Sequence, residues 1–437
     1  MTEKTIVRND AGMRFHGIVT DKFKMSRLSF NFILPADKRI SPLTKLMLAV
    51  MMRGSANYPS VTKINKRLDE LYGATVTWRA MSVGERHIFR ISCEILGERF
   101  RLPEDDKSIL KGVCEVILDI LFNPLKNENG LLDSANIESE KKLAVDAIKA
   151  KINDQKAYAA EQCKKLMLGD DPAGISVEGT EDQISAFTPA ELTENIGYFL
   201  KNSVLECFYT GSDDYTEIAD MIGDAFASLK RKNVALCGEE KAFIRQFDEE
   251  LRSKEESMDV SQGRLNIGLT CGVVMSDKDY YAMSLFNEIF GGSSVAKLFM
   301  NVREKQSLCY YCYSSYHSAT GTLMIGCGIK PENREKAFKE IENQLLEMQK
   351  GNFDDNDVNT AKRTVVSGLR QIFDSPSALE AYRFRRFLAG VCETAEESIE
   401  KVENVTYEDI LAAARKVRID TVYFLTGNGC EEEWDDE

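Results

Sequence analysis

Histidine is almost missing from this chain: three residues in 437, namely His16, His87 and His317. No two of them stand at i, i+3 or i+4, so no paired-imidazole metal site on one helix face is expected. Long apolar runs are missing as well. None reaches the roughly 18 residues that a membrane-spanning helix requires, and no membrane span is expected. The opening residues, Met1-Thr2-Glu3-Lys4-Thr5-Ile6-Val7-Arg8-Asn9-Asp10, hold no apolar core of a secretory signal. Concentrated basic charge is scarce too: 56 Lys and Arg face 70 Asp and Glu, for a net charge of −14. That argues against nucleic acid as the main ligand, because phosphate binding needs clustered cations, and it favours solubility. Finally, the eleven cysteines follow no disulfide-framework spacing. An odd number of scattered thiols in an unsignalled chain points to a reduced, cytoplasmic protein.

What is present is enough apolar residue, 43%, to fill more than one core. The length suggests two or three domains, and the chain repeats itself once. Gly54 precedes Tyr72 by 18 positions, and Gly292 precedes Tyr310 by 18. Gly84 follows Tyr72 by 12 positions, and Gly321 follows Tyr310 by 11. Each of these glycines opens a strand-like run. His87-Ile88-Phe89-Arg90-Ile91-Ser92-Cys93-Glu94-Ile95 alternates cleanly, and Leu323-Met324-Ile325-Gly326-Cys327 is its apolar counterpart. Thr188-Pro189-Ala190-Glu191 and Thr406-Tyr407-Glu408-Asp409 both read as capping boxes that start a helix. Each helix then runs into a strand ending in glycine, Gly211 or Gly427.

Two similar halves are therefore expected, 1–232 and 246–437, joined by a charged linker at 233–245. Leu28-Ser29-Phe30-Asn31-Phe32-Ile33-Leu34 alternates as an amphipathic strand, and the stretch 332–348 reads as a helix with Gly351 near its C-cap. The fold class is α+β: each half a largely antiparallel sheet covered by helices. The acidic run 431–437 reads as a solvated tail. Cys309-x-x-Cys312 has zinc or redox spacing. No second Cys/His pair sits at a matching distance, and a strand-like setting lacks the helix N-terminus that lowers a thiol's pKa, so neither use is expected. Gly291-Gly292 lacks the rest of a phosphate-loop pattern and is expected to be a flexible turn between helices.

Met51-Met52-Arg53-Gly54-Ser55-Ala56-Asn57-Tyr58-Pro59-Ser60 followed by Arg67-Leu68-Asp69-Glu70-Leu71-Tyr72-Gly73 resembles the insulinase/pitrilysin family of inverted zincins. In active members an H-x-x-E-H helix lies just before this segment, with two His on zinc and the Glu as general base. Here the His positions fall on Lys45 and Ala49 and the Glu position on Leu48. The third family ligand, counted seven residues after Glu140, falls on Ala147. The resemblance thus implies a zinc helix without a donor set, and no metal or other cofactor in this chain.

The second half carries the other part of the resemblance: Phe286-Asn287-Glu288-Ile289-Phe290-Gly291-Gly292-Ser293-Ser294, then Ala296-Lys297-Leu298-Phe299, then Arg303 to Tyr310. In the family an Arg and a Tyr seven apart reach toward the zinc site. The Tyr hydroxyl donates to the scissile carbonyl, and the Arg holds the substrate. Arg303 and Tyr310 match that pair. The resemblance implies a zinc-free subunit of a clam-like heterodimer with a zinc-bearing H-x-x-E-H paralogue, acting on peptides. Zinc would belong to that partner, and whether the chain homodimerises alone is left open. Two other readings stand beside it: a structural or peptide-holding scaffold with no part in cleavage, and a self-sufficient peptidase with relocated ligands.

Overall fold

The computed structural model describes residues 4–10, 12–231, 242–243, 250–260 and 262–427. The expected linker, apart from 242 and 243, and the acidic run 431–437 lie outside these residues. The chain forms two compact units, and each is discontinuous in sequence. The first comprises Met1–Lys149, Ile175–Gly238 and Phe373–Arg383; the second comprises Ala150–Gly174, Glu239–Ile372 and Phe384–Glu437. The contiguous halves read from the sequence therefore differ from the packed units by two exchanged segments. Motif spacing follows the order of elements along the chain. It carries no signal of which sheet a later helix covers.

The first unit holds β1 (Lys4–Asp10), β2 (Met13–Val19), β3 (Met25–Pro35), β4 (Thr75–Val83), β5 (Arg86–Leu96) and β6 (Val204–Gly211), in the sheet order β1-β2-β6-β3-β5-β4. The second holds β7 (Arg252–Met258), β8 (Gly263–Thr270), β9 (Cys309–His317), β10 (Thr322–Ile329) and β11 (Arg418–Gly427), in the order β7-β11-β8-β10-β9. With β1 set aside, both sheets place their strands as first, fifth, second, fourth, third. Each has one parallel pair at the same place, β2 with β6 and β7 with β11, and is otherwise antiparallel. The internal repeat is thus a repeat of topology, and the α+β class holds.

The landmarks that revealed the repeat act locally as expected. Gly84 (φ 54°) and Gly321 (φ 63°) turn the β4–β5 and β9–β10 hairpins in the left-handed region that side chains with a Cβ resist. Thr188 and Thr406 each close a reciprocal capping box, with Glu191 and Asp409, at the head of the helix feeding β6 or β11. Each unit has its own apolar core. In the first, Leu28, Phe30, Phe32 and Leu34 project from one face of β3 into a core shared with the helix Ile109–Phe122 and the helix Pro189–Asn202. In the second, Leu265, Ile267, Leu323, Ile325 and Phe424 meet the helices Tyr280–Asn287 and Arg334–Lys350.

The other face of β3 is polar yet also buried. Arg27, Ser29 and Asn31 are 8% exposed or less, under a lid formed by the first unit's Phe373–Arg383 segment. Glu380, 1% exposed, accepts from Arg27 Nε at 2.7 Å and from Ser29 Oγ at 2.7 Å, and Arg90 Nη1 lies 3.5 Å from it. Removing the carboxylate leaves two guanidinium groups in a layer with little water. Glu380→Ala is expected to destabilise the protein by about 3–5 kcal/mol, the usual cost of breaking a buried ion pair from one side, read from the denaturation midpoint in urea.

Candidate functional site

The helix Ile40–Met51 carries Lys45, Leu48 and Ala49, the residues that the resemblance sets against the zinc helix, and these side chains offer no coordination sphere. Lys45 brings an ammonium to the first ligand position and is ion-paired there with Glu178. Leu48, at the general-base position, is 1% exposed and belongs to the first unit's core. Ala49, one turn after Lys45, has no donor atom. Ala147 lies exposed on the helix Ser134–Ala150, while Glu140 of the same helix is ion-paired with Arg53. A divalent ion needs several neutral or anionic donors within coordination distance. These residues supply a paired cation and three aliphatic groups, so they do not fit zinc. Among the described residues no group of three or more His, Cys, Asp or Glu side chains is arranged to hold a metal ion.

Two of the three histidines, His16 and His87, are buried in the fold. His16 stacks on Phe208 with ring centroids 4.3 Å apart and is bonded to the buried Glu206 at 2.7 Å. His87 is buried with Nε2 at 3.0 Å from the Ile175 carbonyl. His317 stands exposed at the end of β9, with Nε2 3.3 Å from Ser315 Oγ.

Arg303 and Tyr310 stand on the second unit's edge strand and the segment leading to it. Residues Phe299–Lys305 form a π-helical turn, a wide helix geometry often found at functional sites. Arg303 projects from it with its side chain 41% exposed, its guanidinium carbon 4.5 Å from the Phe299 ring centre and Nη1 3.6 Å from Glu304 Oε1. Ser307 takes a positive φ of 51° and turns the chain into β9. There the pairing slips. Tyr311 opposes Gly328 and Cys309 opposes Ile329, so Tyr310 is the extra residue of a β-bulge. Bulges commonly re-aim a side chain beside a functional site. Tyr310 is 50% exposed, whereas Tyr311 and Tyr313 lie against Gly328 and Gly326 and take Lys156 Nζ over their rings at 4.7 and 4.5 Å.

Gly291 and Gly292, expected as a flexible turn, lie instead in a second π-helical turn, Glu288–Gly292. A Cβ at Gly291 would stand 2.7 Å from the Ser314 backbone nitrogen. Glycine is needed at that position for close helix–strand contact, and Gly291 is buried there.

Two features escaped the sequence reading. One is a cavity of ≈470 Å³ beside the edge strand β4, lined by Arg27, Thr77, Trp78, Arg79, Ser92 and the lid residues Ser377 and Ala378. It depends on the exchanged lid segment, which no local pattern announces. The other is a third thiol, Cys327 of β10, directly opposite Cys312 in the β9–β10 register. The strand alternation of the two runs held that signal.

A family model described as the peptidase M16 inactive domain matches residues 186–365. The chain is 30% identical over 418 residues, 95% of its own length and 96% of the relative's, to the "Probable inactive metalloprotease YmfF" of Bacillus subtilis. It is 23% identical over 315 residues, 69% of its length and 71% of the relative's, to the "Uncharacterized zinc protease YmxG" of the same organism. Among solved structures it resembles a conserved protein of Enterococcus faecalis at a TM-score of 0.87 and 25% identity, covering 97% of this chain and 99% of that one. It has the fold of a peptidase M16 inactive domain from Pseudomonas fluorescens, with a TM-score of 0.78, 18% identity and 98% of each chain covered.

Restoring the missing base tests how deeply the loss is written into the packing. Leu48→Glu replaces a buried core side chain with a carboxylate and is expected to cost at least about 3 kcal/mol. Ala49→His, at a half-buried position, is expected to change stability by less than about 1 kcal/mol. Thermal unfolding of the two variants beside the parent protein checks the contrast.

Proposed function

This chain belongs to the insulinase (peptidase M16) family as an inactive metalloprotease homologue, and on that footing we propose that it is the zinc-free subunit of a two-chain metallopeptidase, completing a partner's site with Arg303 and Tyr310. The observation that carries the reading is the contrast between the two places. Leu48 is sealed in a core where the base should be, while Tyr310 is turned half into solvent on a bulge. A residue without a task on an edge strand has no need of a bulge to expose it. The same segment also leaves Val295 and Met300 59% and 38% exposed, which suits contact with a second chain or a peptide.

The partner is a paralogue that bears the H-x-x-E-H helix. Zinc bound there supplies the activated water and polarises the scissile carbonyl. In this chain the Tyr310 phenol is a neutral O–H donor suited to the negative charge that grows on the carbonyl oxygen during attack. Arg303 is permanently charged and offers a rigid fork of donors to peptide carbonyls or a substrate carboxylate. Among the described residues β9 is the last strand of its sheet, and its outer edge would take an extended peptide as an added strand.

The test is reconstitution with the zinc-bearing paralogue. With Tyr310→Phe in the mixture, kcat is expected to fall by roughly 10²–10³, the usual cost of losing one oxyanion donor, with assembly unchanged. Arg303→Ala is expected to raise KM more than it lowers kcat. A scaffold without a part in cleavage predicts full activity for both variants with normal assembly, and that result would retire the proposed roles.

A further inference from the structure

The bulge that exposes Tyr310 also gathers three thiols. In an unbroken strand Cys309 and Cys312 would face opposite sides, since side chains alternate. The extra residue at Tyr310 cancels that alternation. Cys312 opposes Cys327, and Cys309 opposes Ile329, two residues further along β10 and on the same face as Cys327. All three sulfurs therefore lie on the core side of the sheet. Cys312 and Cys327 are buried and Cys309 is half-buried, so one thiol of the three is reachable from solvent. All three are free. We propose that Cys309, Cys312 and Cys327 form a peroxide-responsive thiol site, with Cys309 as the attacking sulfur and a buried neighbour as the resolving one.

The surroundings favour this division of labour. Hydrogen bonding from the Cys312 and Cys327 thiols holds Cys309 well below the ordinary thiol range, and the Arg303 charge acts in the same direction. Cys312 and Cys327 are pushed the other way, chiefly by the hydrogen bond to Cys309. In the first step the Cys309 thiolate attacks one oxygen of hydrogen peroxide. The O–O bond breaks, an S–O bond forms, the sulfur loses two electrons, and hydroxide leaves to be protonated to water. In the second step the sulfur of Cys327 or Cys312 displaces the sulfenic hydroxyl. An S–S bond forms, and the thiol proton leaves with the hydroxyl as a second water. The sum is two thiols and one peroxide giving one disulfide and two waters. Cys327 stands diagonal to Cys309 in the register, and Cys309 shares hydrogen bonds with both buried thiols, so the sulfurs are in contact and closing the bond requires a shift of the bulged backbone. The bond would form beside the bulge residue, so oxidation would reset how Tyr310 is presented. This site stands on the strand register and does not depend on the peptidase reading.

The experiment uses the purified full-length chain, reduced, then exposed to a small excess of hydrogen peroxide, quenched by alkylation and mapped by peptide mass spectrometry. The expected result is a disulfide within the three cysteines, with Cys309 consumed about tenfold or more faster than Cys392, the exposed cysteine among the described residues of the same unit. In Cys312→Ser/Cys327→Ser, which lacks both resolving thiols, a dimedone adduct is expected on Cys309. Should that variant fail to fold, the wild-type map alone decides. Three thiols still fully alkylatable after Cys392 has been oxidised, or Cys392 reacting as fast as Cys309, would overturn the proposal.

Discussion

One residue too many in β9 sets the geometry of the segment around Arg303 and Tyr310. A β-strand alternates its side chains strictly, and only a bulge lets two neighbours share a side. Inserting Tyr310 against a partner strand that has no matching residue turns its phenol half into solvent and brings Cys309 to the face of Cys312 and Cys327. The π-helical turn Phe299–Lys305 and the left-handed Ser307 deliver the chain into that slip, with Arg303 one short loop upstream. Tyr311 and Tyr313, in regular register, pack against Gly328 and Gly326 and are less exposed than Tyr310. The difference between a packed tyrosine and a presented one is a difference of backbone pairing.

The first unit shows the reverse arrangement. The helix that the resemblance sets against the zinc helix offers no donors, and two of its positions serve other ends: Leu48 in packing and Lys45 in charge pairing. Leu48 adds to the core the apolar contact that a carboxylate would forfeit. Lys45 is neutralised by Glu178, and Arg53 by Glu140. At Lys45 a dication would meet a positive charge and would have to break the pair with Glu178 as well as find ligands.

Much of this was legible in the sequence, for definite reasons. The Gly–Tyr–Gly spacings mark hairpins and strand entries, and paired capping boxes mark helix starts, so two similar halves, each with a largely antiparallel sheet, were legible, while the order of the strands was not. The degenerate helix was visible because Lys45, Leu48 and Ala49 differ in kind from ligands. Two things were hidden. Leu28 to Leu34 alternates like a strand with one wet face, yet Ser29 and Asn31 are buried because a segment some 350 residues away supplies Glu380. The bulge was hidden because Cys309-Tyr310-Tyr311-Cys312 carries no glycine or proline to announce it. Without the bulge Cys309 and Cys312 fall on opposite sides, and the third thiol has no reason to join them.

The two units close the second face of their sheets by different physics. In the second unit the helix Gln155–Leu168 packs Ala159 and Cys163 against Tyr423 and Leu425, and Gly268, Gly326 and Gly328 leave room for Met167 and the tyrosine rings. In the first the lid is ionic, centred on Glu380 with Arg27 and Arg90. An apolar lid is favourable over many positions, because dispersion and the hydrophobic effect have little directionality. A buried ion pair gains little net energy and tolerates few placements, because a misplaced charge is left without its counter-charge. The first unit's lid is therefore fixed in register by its charges more than it is stabilised by them. That register also places Ser377 and Ala378 against Arg27 and the edge strand β4, so the shape of the cavity there is set by where one carboxylate finds two guanidinium groups.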